Sequence, residues 1–506
     1  MAHDTLEGRG TGQPGAAKTA DYILDFYQSP GFLAMEDFEV KEQVFELEGY
    51  FWTQVTYTLS RLNSEDNRED SSYVLEKGGT TAFYPVMNGT DRIEAPVIFT
   101  GHGPVSRPDH TVSEDYHTLE DAWVLMFENT DASGSGDEEW SRTEQIQRIS
   151  GYYGAAGVIY ISDLSAEEWE QKAGYMSRQL DRPLAVRKSG GFRSLTHGSA
   201  TALSVHPDMA LKLLGLTRHD QLDSLKYRWK SDDKREMWQH TGFELINNPE
   251  FENRTFEERN IVAVFEGSHE SRDQEVIVMS AHYDHMGLGE PDDNNDIVYN
   301  GADDNGSGTA ALMQVAEAFR KVAETGYRPS RTLVFLHAAA EEWGLFGARH
   351  FVENSPVPLE NIIANVNVDM VGWVDERYSD QPSRDYMYVI GAGLVSSDLE
   401  NLLSETSRAR PDLHLDMKYN SIHHPSGLYR RSDQWAFGEK GVPFVFFFSG
   451  LHDYYHTPSD TADRIAWKQL TARTEFIVEY VWRLAEYTSR PEFDRNPWNR
   501  QGVISR

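Results

Sequence analysis

The sequence predicts an α/β protein with a mixed, largely parallel central sheet flanked by helices. From about residue 260 onward, apolar runs of strand length alternate with helix-like runs. The strand-like runs are apolar almost without a break, which is typical of parallel strands buried on both faces. Regular alternation of strands and helices places consecutive strands in one sheet, with the helices packed over it.

The predicted elements of this part follow one another along the chain. The strands are the apolar runs "NIVAVFEG", "EVIVMSAH", "RTLVFLHA", "NIIANVNVDM", "DYMYVIGAG" and "VPFVFFFSG". Helical spacing of apolar residues predicts helices over Thr309–Glu324 and Trp343–Glu353, and near the N-terminus over Ala16–Tyr27. Phe45–Leu59 alternates like a half-buried strand.

The segment from residue 80 to residue 225 has a different texture. Short strand-like runs such as "APVIFTG", "AWVLMFEN" and "AAGVIYI" are separated by polar loops, and a helix-like "HPDMALKLLG" closes the segment. A chain of 506 residues is also longer than one ordinary domain. We therefore predict that residues 80–225 form an inserted β-rich domain, and that residues 1–79 and 226–506 form the main domain.

Composition excludes several classes of function. The net charge of −34 disfavours nucleic acids and anionic membranes as partners. The longest apolar run, Val442–Phe448, has the length of a strand, so we expect no membrane span, and the N-terminus shows no export signal. Because the chain has no cysteine, any metal site must be built from His, Asp and Glu side chains.

Ionisable side chains follow the ends of the predicted strands. In open α/β sheets the ligand crevice lies beyond the carboxyl ends of the strands, so these side chains should converge. Burying these charged groups together is costly unless each of them has a partner, such as a hydrogen bond, an opposite charge or a metal ion. The residues concerned are His282, Asp284 and His285, Asp303 and Asp304 in the loop "NGADDNGSG", Glu341 and Glu342, Asp369, and His452, Tyr455 and His456.

The two adjacent aspartates of that loop have two interpretations. An Asp before a helix commonly caps its free N–H groups and suits the helix dipole. Histidines and carboxylates without sulfur, however, suit zinc, or cobalt and manganese as substitutes. Two such ions at about 3.5–4 Å separation share a bridging carboxylate. Asp303 can therefore be such a bridge instead of a helix cap, with Asp304 shaping the turn.

The motifs "AHYDH", "NGADDNGSG", "AAAEEWGLFG", "NVDM" and "YYHTPSDT" resemble those of the co-catalytic dizinc aminopeptidase family. That family includes bacterial leucyl aminopeptidases, glutamate carboxypeptidase, glutaminyl cyclases and the transferrin receptor. The opening "LEGRGTGQPG" resembles the N-terminal segment of bacterial members, and the insert resembles a protease-associated domain. The resemblance implies a zinc-exopeptidase fold of the phosphorylase/hydrolase-like type.

The resemblance also implies a role for each site residue. His282 and Asp369 would hold one zinc ion, Glu342 and His456 the other, with Asp303 between them. Glu341 would be the general base, Asp284 would orient His282, and Tyr455 would stabilise the oxyanion. We expect the other histidines near the motifs to be structural: His285, His337, His423, His424 and His452.

The expected activity is removal of N-terminal residues from peptides that have a free N-terminus, with two Zn²⁺ per chain. One alternative is a carboxypeptidase, which would need basic side chains such as those of "YRR" at residues 429–431. Others are a single-zinc glutaminyl cyclase and an inactive receptor-like relative. Where the family motif often reads "SDH", this chain has Ser432, Asp433 and Gln434, which leaves the local substrate contacts open. Family analogy also suggests a periplasmic or secreted location.

Overall fold

The structure is a computed structural model of the chain. It describes residues 1–35, 37–61, 69–76, 82–87, 92–101, 119–128, 146, 149–151, 153–165, 168–170, 185–188, 201–229, 238–269, 272, 274–289, 292, 296–380 and 385–497. The predicted border between residues 79 and 80 lies outside them, as does part of the segment that resembles a protease-associated domain.

The strands are β1 (Phe38–Arg61), β2 (Glu69–Glu76), β3 (Phe83–Met87), β4 (Ile93–Phe99), β5 (Trp123–Phe127), β6 (Gly157–Ile161), β7 (Ala185–Lys188), β8 (Thr201–Val205), β9 (Gln239–Phe265), β10 (Val276–His282), β11 (Gly287–Leu288), β12 (Val298–Tyr299), β13 (Thr332–Ala338), β14 (Ile362–Val368), β15 (Asp385–Ile390), β16 (Leu413–Asp416) and β17 (Phe444–Phe448). The α-helices are α1 (Pro14–Tyr27), α2 (Pro30–Leu33), α3 (Pro207–Leu214), α4 (His219–Trp229), α5 (Gly308–Ala323), α6 (Phe346–Glu353), α7 (Glu376–Ser379), α8 (Ala392–Val395), α9 (Ser397–Ala409), α10 (Gln434–Gly438) and α11 (Trp467–Glu486). Short 3₁₀ helices lie at Asp4–Arg9, Leu359–Asn361, Leu428–Arg430 and Ala462–Arg464.

The chain divides into two units. The first contains residues 1–47 and 255–506, and the second contains residues 48–254. The second unit begins before residue 80 and ends after residue 225, which are the limits predicted for the insert. The changes in composition lie inside the second unit and not at its limits, because β1 and β9 are each a single long strand that continues through the division.

The first unit contains the predicted mixed, largely parallel sheet. Its strand order is β16-β15-β17-β14-β10-β13-β9. The pairs β10–β13, β10–β14, β14–β17 and β15–β16 are parallel, whereas β9–β13 and β15–β17 are antiparallel. Every residue of β10, β13, β14 and β17 is buried, which explains their continuous apolar runs.

Helices pack against this sheet as the sequence predicts. Phe351 of α6 and Phe437 of α10 share a core with Val278 and Leu336 of the sheet. Phe447 of β17 packs edge-on against Tyr480 of α11. The parallel central strands end at one edge of the sheet, and this edge carries the candidate site.

The second unit is β-rich within its described residues. Its strand order is β4-β5-β6-β8-β3, and residues 239–247 of β9 pair with β4. The pairs β4–β5, β5–β6 and β6–β8 are parallel, and β1 pairs with β2 as an antiparallel ladder. Its core includes Trp123, Ile159 and Leu203, all buried. In the described part of the chain, no helix has the length and apolar character that crossing a bilayer requires.

Candidate metal centre

Two groups of metal-binding side chains lie beyond the carboxyl ends of the central strands. The first metal group consists of His282, Asp304 and Asp369, and the second metal group consists of His285, Asp304, Glu342 and His456. Within each group the candidate ligand atoms lie within 4.8 Å of one another. Asp304 belongs to both groups, so it is the side chain that joins them.

These side chains lie at or just beyond the ends of strands. His282 is the last residue of β10, and Asp369 follows β14 directly. Ala340, Met370 and His456 have left-handed backbone conformations, with φ of 56°, 52° and 56°. Such conformations are unfavourable for residues with a Cβ and are found preferentially at functional sites.

The two oxygens of Asp304 face different groups. Oδ1 lies 3.5 Å from His282 Nε2, and Oδ2 lies 2.9 Å from His456 Nε2. His282 Nε2 also lies 3.4 Å from Asp369 Oδ1, and His456 Nε2 lies 3.2 Å from Glu342 Oε2. A carboxylate in this position has the geometry that a bridge between two cations requires.

The expected bridge, Asp303, is not in either metal group, and the prediction is corrected to Asp304. Asp303 Oδ1 accepts hydrogen bonds from Gly372 N at 2.6 Å and from the Ser307 hydroxyl at 2.8 Å. Its Oδ2 lies 3.4 Å from His452 Nε2. Asp304 has extended dihedral angles (φ −98°, ψ 102°), and neighbouring side chains in extended backbone point in opposite directions. Only one of two adjacent carboxylates can therefore face the site.

Neither aspartate caps the following helix. Helix α5 begins at Gly308, whose N–H donates to Asn305 Oδ1 at 2.9 Å. The same oxygen accepts from Met370 N at 3.1 Å. Asp460 accepts the backbone N–H groups of Asp303 and Asp304 at 2.9 and 3.1 Å, which holds the turn in place.

Several ligand atoms of the site are buried without a hydrogen-bond partner among the described residues. They are Asp304 Oδ2, Asp369 Oδ1 and His456 Nε2. Buried lone pairs that converge without donors are costly unless a cation satisfies them. The donor set of imidazole nitrogens and carboxylate oxygens fits zinc.

Carboxylates of the site raise the pKa values of two of its histidines. Burial acts to lower the pKa of His456, but the carboxylates of Asp304 and Glu342 raise it to about 10. Burial also acts to lower the pKa of His282, but Asp369 and Glu341 raise it well above the ordinary value. These carboxylates thus attract positive charge to the site.

The adjacent glutamates occupy different surroundings. Burial raises the pKa of Glu341 well above its ordinary value, and Glu341 Oε2 lies 3.9 Å from His282 Nε2. Burial acts in the same direction on Glu342, but His456 beside it lowers its pKa. Glu342 belongs to the second metal group and Glu341 to neither. This arrangement agrees with the family order used for the prediction.

Asp284 lies behind the site, but its carboxylate has other partners than expected. His282 Nδ1 lies 3.2 Å from the main-chain oxygen of Asp284 and 3.7 Å from its carboxylate. The carboxylate instead accepts the backbone N–H of Glu341 at 3.0 Å and that of Glu342 at 3.4 Å. It therefore holds the turn that presents both glutamates.

His285 is a site residue that the sequence interpretation treated as structural. Its Nδ1 lies 2.9 Å from Glu342 Oε1 and 3.6 Å from Asp304 Oδ2. Burial lowers its pKa to about 3, so the ring is neutral at pH 7. The available signal was the spacing of "HYDH": His282 ends a strand, and His285 lies only three residues beyond it.

Tyr455 lines a pocket beside the metal groups. Its ring stacks on that of His456, with 3.7 Å between the centroids, and burial raises its pKa. The metal-group residues His282, Asp304 and Asp369 also line this pocket, together with Glu341. Its apolar lining consists of Met370, Leu428, Phe446, Phe448 and Leu451.

The N-terminal segment supports the site from behind through Arg9. This fully buried side chain donates from Nε to Tyr283 O at 2.7 Å. Its other nitrogens donate to the main-chain oxygens of Asn300, Gly301 and Asp304, at 2.5, 2.7 and 3.2 Å. Thr11 donates its hydroxyl to Asp284 Oδ2 at 3.0 Å. The segment thus joins the His282 loop to the Asp304 turn.

We expect Arg9→Met to lower the unfolding free energy by about 3 kcal/mol or more, because several buried carbonyl groups lose their donor. Urea unfolding in excess chelator measures this without a contribution from metal. Arg218→Met is the control: its pair with Asp220 is exposed, so we expect no measurable change in the unfolding midpoint. Equal midpoints for Arg9→Met and the unmodified protein would contradict the supporting role.

Parts of the sequence are similar to a known peptidase family and to known peptidases. Residues 260–481 match the sequence profile described as Peptidase family M28. The chain is 25% identical over 225 residues to Aminopeptidase YwaD of Bacillus subtilis, covering 43% of each chain. It is 23% identical over 375 residues to "Probable glutamate carboxypeptidase AMP1" of Arabidopsis thaliana, covering 69% of this chain and 47% of that one. The chain spans about half the length of these curated relatives.

A solved structure shows the same fold. It is "BSAP, a zinc aminopeptidase from Bacillus subtilis", with a TM-score of 0.52 and 15% sequence identity. The similarity covers 97% of this chain and 95% of that one.

Proposed function

Residues 260–481 belong to Peptidase family M28, and on that premise we propose that the protein is an aminopeptidase with a dinuclear zinc site. His282 and Asp369 would hold one ion and Glu342 and His456 the other, and Asp304, which belongs to both groups, would be the shared ligand. The observation that carries the proposal is the position of Asp304, whose two oxygens face the two metal groups.

The reaction proposed is hydrolysis of the first peptide bond of a peptide with a free N-terminus. Bound zinc would polarise the scissile carbonyl and lower the pKa of a water molecule. Glu341 takes the proton from the attacking water and returns it to the leaving amine. Its buried position supports this role, because a carboxylate with a raised pKa is the stronger base.

The surrounding residues orient these groups. His285 donates its Nδ1 hydrogen to Glu342 and so fixes that carboxylate toward the second metal group. Asp284 holds the backbone of Glu341 and Glu342 through their N–H groups. Tyr455 donates its hydroxyl hydrogen to the oxyanion that forms from the scissile carbonyl. The support for this is its place in the pocket beside Glu341.

Cobalt or manganese replaces zinc, because the donor set contains only nitrogen and oxygen. The second unit is a protease-associated-like domain; its support is the resemblance of its sequence motifs. The protein works in the periplasm or outside the cell, by analogy with bacterial aminopeptidases of this kind.

The test combines metal analysis with activity on a panel of aminoacyl-p-nitroanilides. We expect about two zinc ions per chain, with activity that is lost on chelation and restored by zinc. About one zinc ion per chain without anilide hydrolysis would favour a cyclase instead. A folded protein that binds no metal would contradict the proposal and favour a receptor-like relative.

A further inference from the structure

One basic side chain lines the pocket beside the metal groups. Of the described residues that form this lining, Arg431 is the one that carries a guanidinium. The remaining lining consists of site carboxylates and His282, apolar side chains and Tyr455. A fixed positive charge here contrasts with a chain whose net charge is −34.

The backbone of Arg431 is anchored close to the first metal group. The next residue, Ser432, donates its hydroxyl to Asp369 Oδ2 at 2.6 Å and accepts a hydrogen bond from Asn367 Nδ2 at 2.8 Å. Arg431 also follows the 3₁₀ helix Leu428–Arg430, and its N–H donates to Leu428 O. These contacts hold the backbone of Arg431 beside the first metal group.

The Arg431 side chain has no ion pair or hydrogen bond within the described part of the chain, although it is exposed. Some other arginines of this unit pair with carboxylates: Arg349 with Glu439, and Arg495 with Glu400. With 81 acidic residues against 47 basic ones, carboxylates are abundant. Arg431 is thus available to a ligand.

The charge of the guanidinium determines which part of a substrate it can contact. It repels the cationic α-amino group of a peptide, so it faces a different part of the molecule. A guanidinium presents parallel N–H donors that match a carboxylate in a bidentate arrangement. Its place at the pocket puts such a carboxylate near the scissile bond.

We propose that Arg431 binds a carboxylate of the substrate and so determines specificity. This inference rests on the proposed aminopeptidase function. The carboxylate has two sources: the C-terminus of a dipeptide, or the acidic side chain of an N-terminal residue. In either case the enzyme prefers the charged substrate over its neutral amide.

Two matched pairs of substrates distinguish the sources. Leucylglycine against leucylglycinamide tests the C-terminal carboxylate, and glutamyl- against glutaminyl-p-nitroanilide tests the side chain. In one pair we expect kcat/KM to favour the charged member by about 10- to 100-fold, mainly through KM. Arg431→Met should remove that preference, and Arg431→Lys should retain part of it.

The neighbouring arginine provides the control. Arg430 is exposed and lies over the Tyr429 ring, 5.9 Å from its centroid, and it does not line the pocket. Arg430→Met should therefore keep the preference for the charged substrate.

The outcomes separate this inference from the proposed function. Suppose that both enzymes hydrolyse the neutral substrates and that the ratio of kcat/KM for the charged over the neutral substrate is the same in Arg431→Met as in the unmodified enzyme. This result would overturn the inference alone. A preference lost equally in Arg430→Met would also overturn it, because general surface charge would then explain the effect. No hydrolysis of any of the four substrates by the zinc-loaded enzyme would overturn the proposed function and the inference with it.

Discussion

Asp304→Asn is expected to weaken the binding of both zinc ions by more than about 100-fold. Changes behind the ligands of a metal site already cost about 10- to 100-fold in affinity, and this carboxylate faces both metal groups. An amide has one oxygen and no negative charge, so it cannot replace a bridging carboxylate. Zinc content after dialysis, together with calorimetric titration of zinc into the metal-free protein, measures the effect.

Asp303→Asn is the matched control on the adjacent residue. An Asn oxygen at this position can still accept the hydrogen bonds from Gly372 N and the Ser307 hydroxyl. We therefore expect this variant to retain both ions. If Asp303→Asn lost both ions while Asp304→Asn kept them, the bridge would be Asp303 after all.

Glu341→Gln is expected to reduce kcat by about 10²–10⁴-fold while both zinc ions stay bound. Glutamine has nearly the same shape but cannot accept the proton of the attacking water. Glu341 belongs to neither metal group, so its substitution removes no ligand. Single-turnover rates and zinc content, measured on the same preparation, test the two halves of this prediction.

Glu342→Gln provides the comparison for Glu341→Gln. Glu342 Oε2 lies 3.2 Å from His456 Nε2 in the second metal group, so we expect its substitution to release zinc from that group. Equal zinc loss in the Glu341 and Glu342 variants would show that the roles of base and ligand are wrongly divided between them.

Local patterns were sufficient for the strands and for predicting which side chains the strand ends bring together. Apolar runs such as "EVIVMSAH" and "NIIANVNVDM" became β10 and β14, because a strand buried on both faces must be apolar along its whole length. The ends of parallel strands meet at one edge, so His282 and Asp369 were expected to be neighbours, and they are.

Other features depend on chain segments far apart in sequence. Arg9 hydrogen-bonds main-chain oxygens of Tyr283, Asn300 and Gly301, and no local pattern reports such partners. His285 was taken as structural, because a single histidine shows its role only when Glu342 and Asp304 are placed beside it. The limit between the two units at residue 48 has no local signal, because β1 continues through it without a change in pattern.

The sequence alone determined the α/β class, the parallel strand ends and the residue types available to a metal, since these follow from burial and from the chemistry of side chains. Only the tertiary structure decided between Asp303 and Asp304. They are the same residue type at adjacent positions of the loop, and the direction of each side chain follows from the backbone dihedral angles of the turn. Those angles depend on distant partners, including Asp460 and Arg9, which hold the turn against the sheet edge.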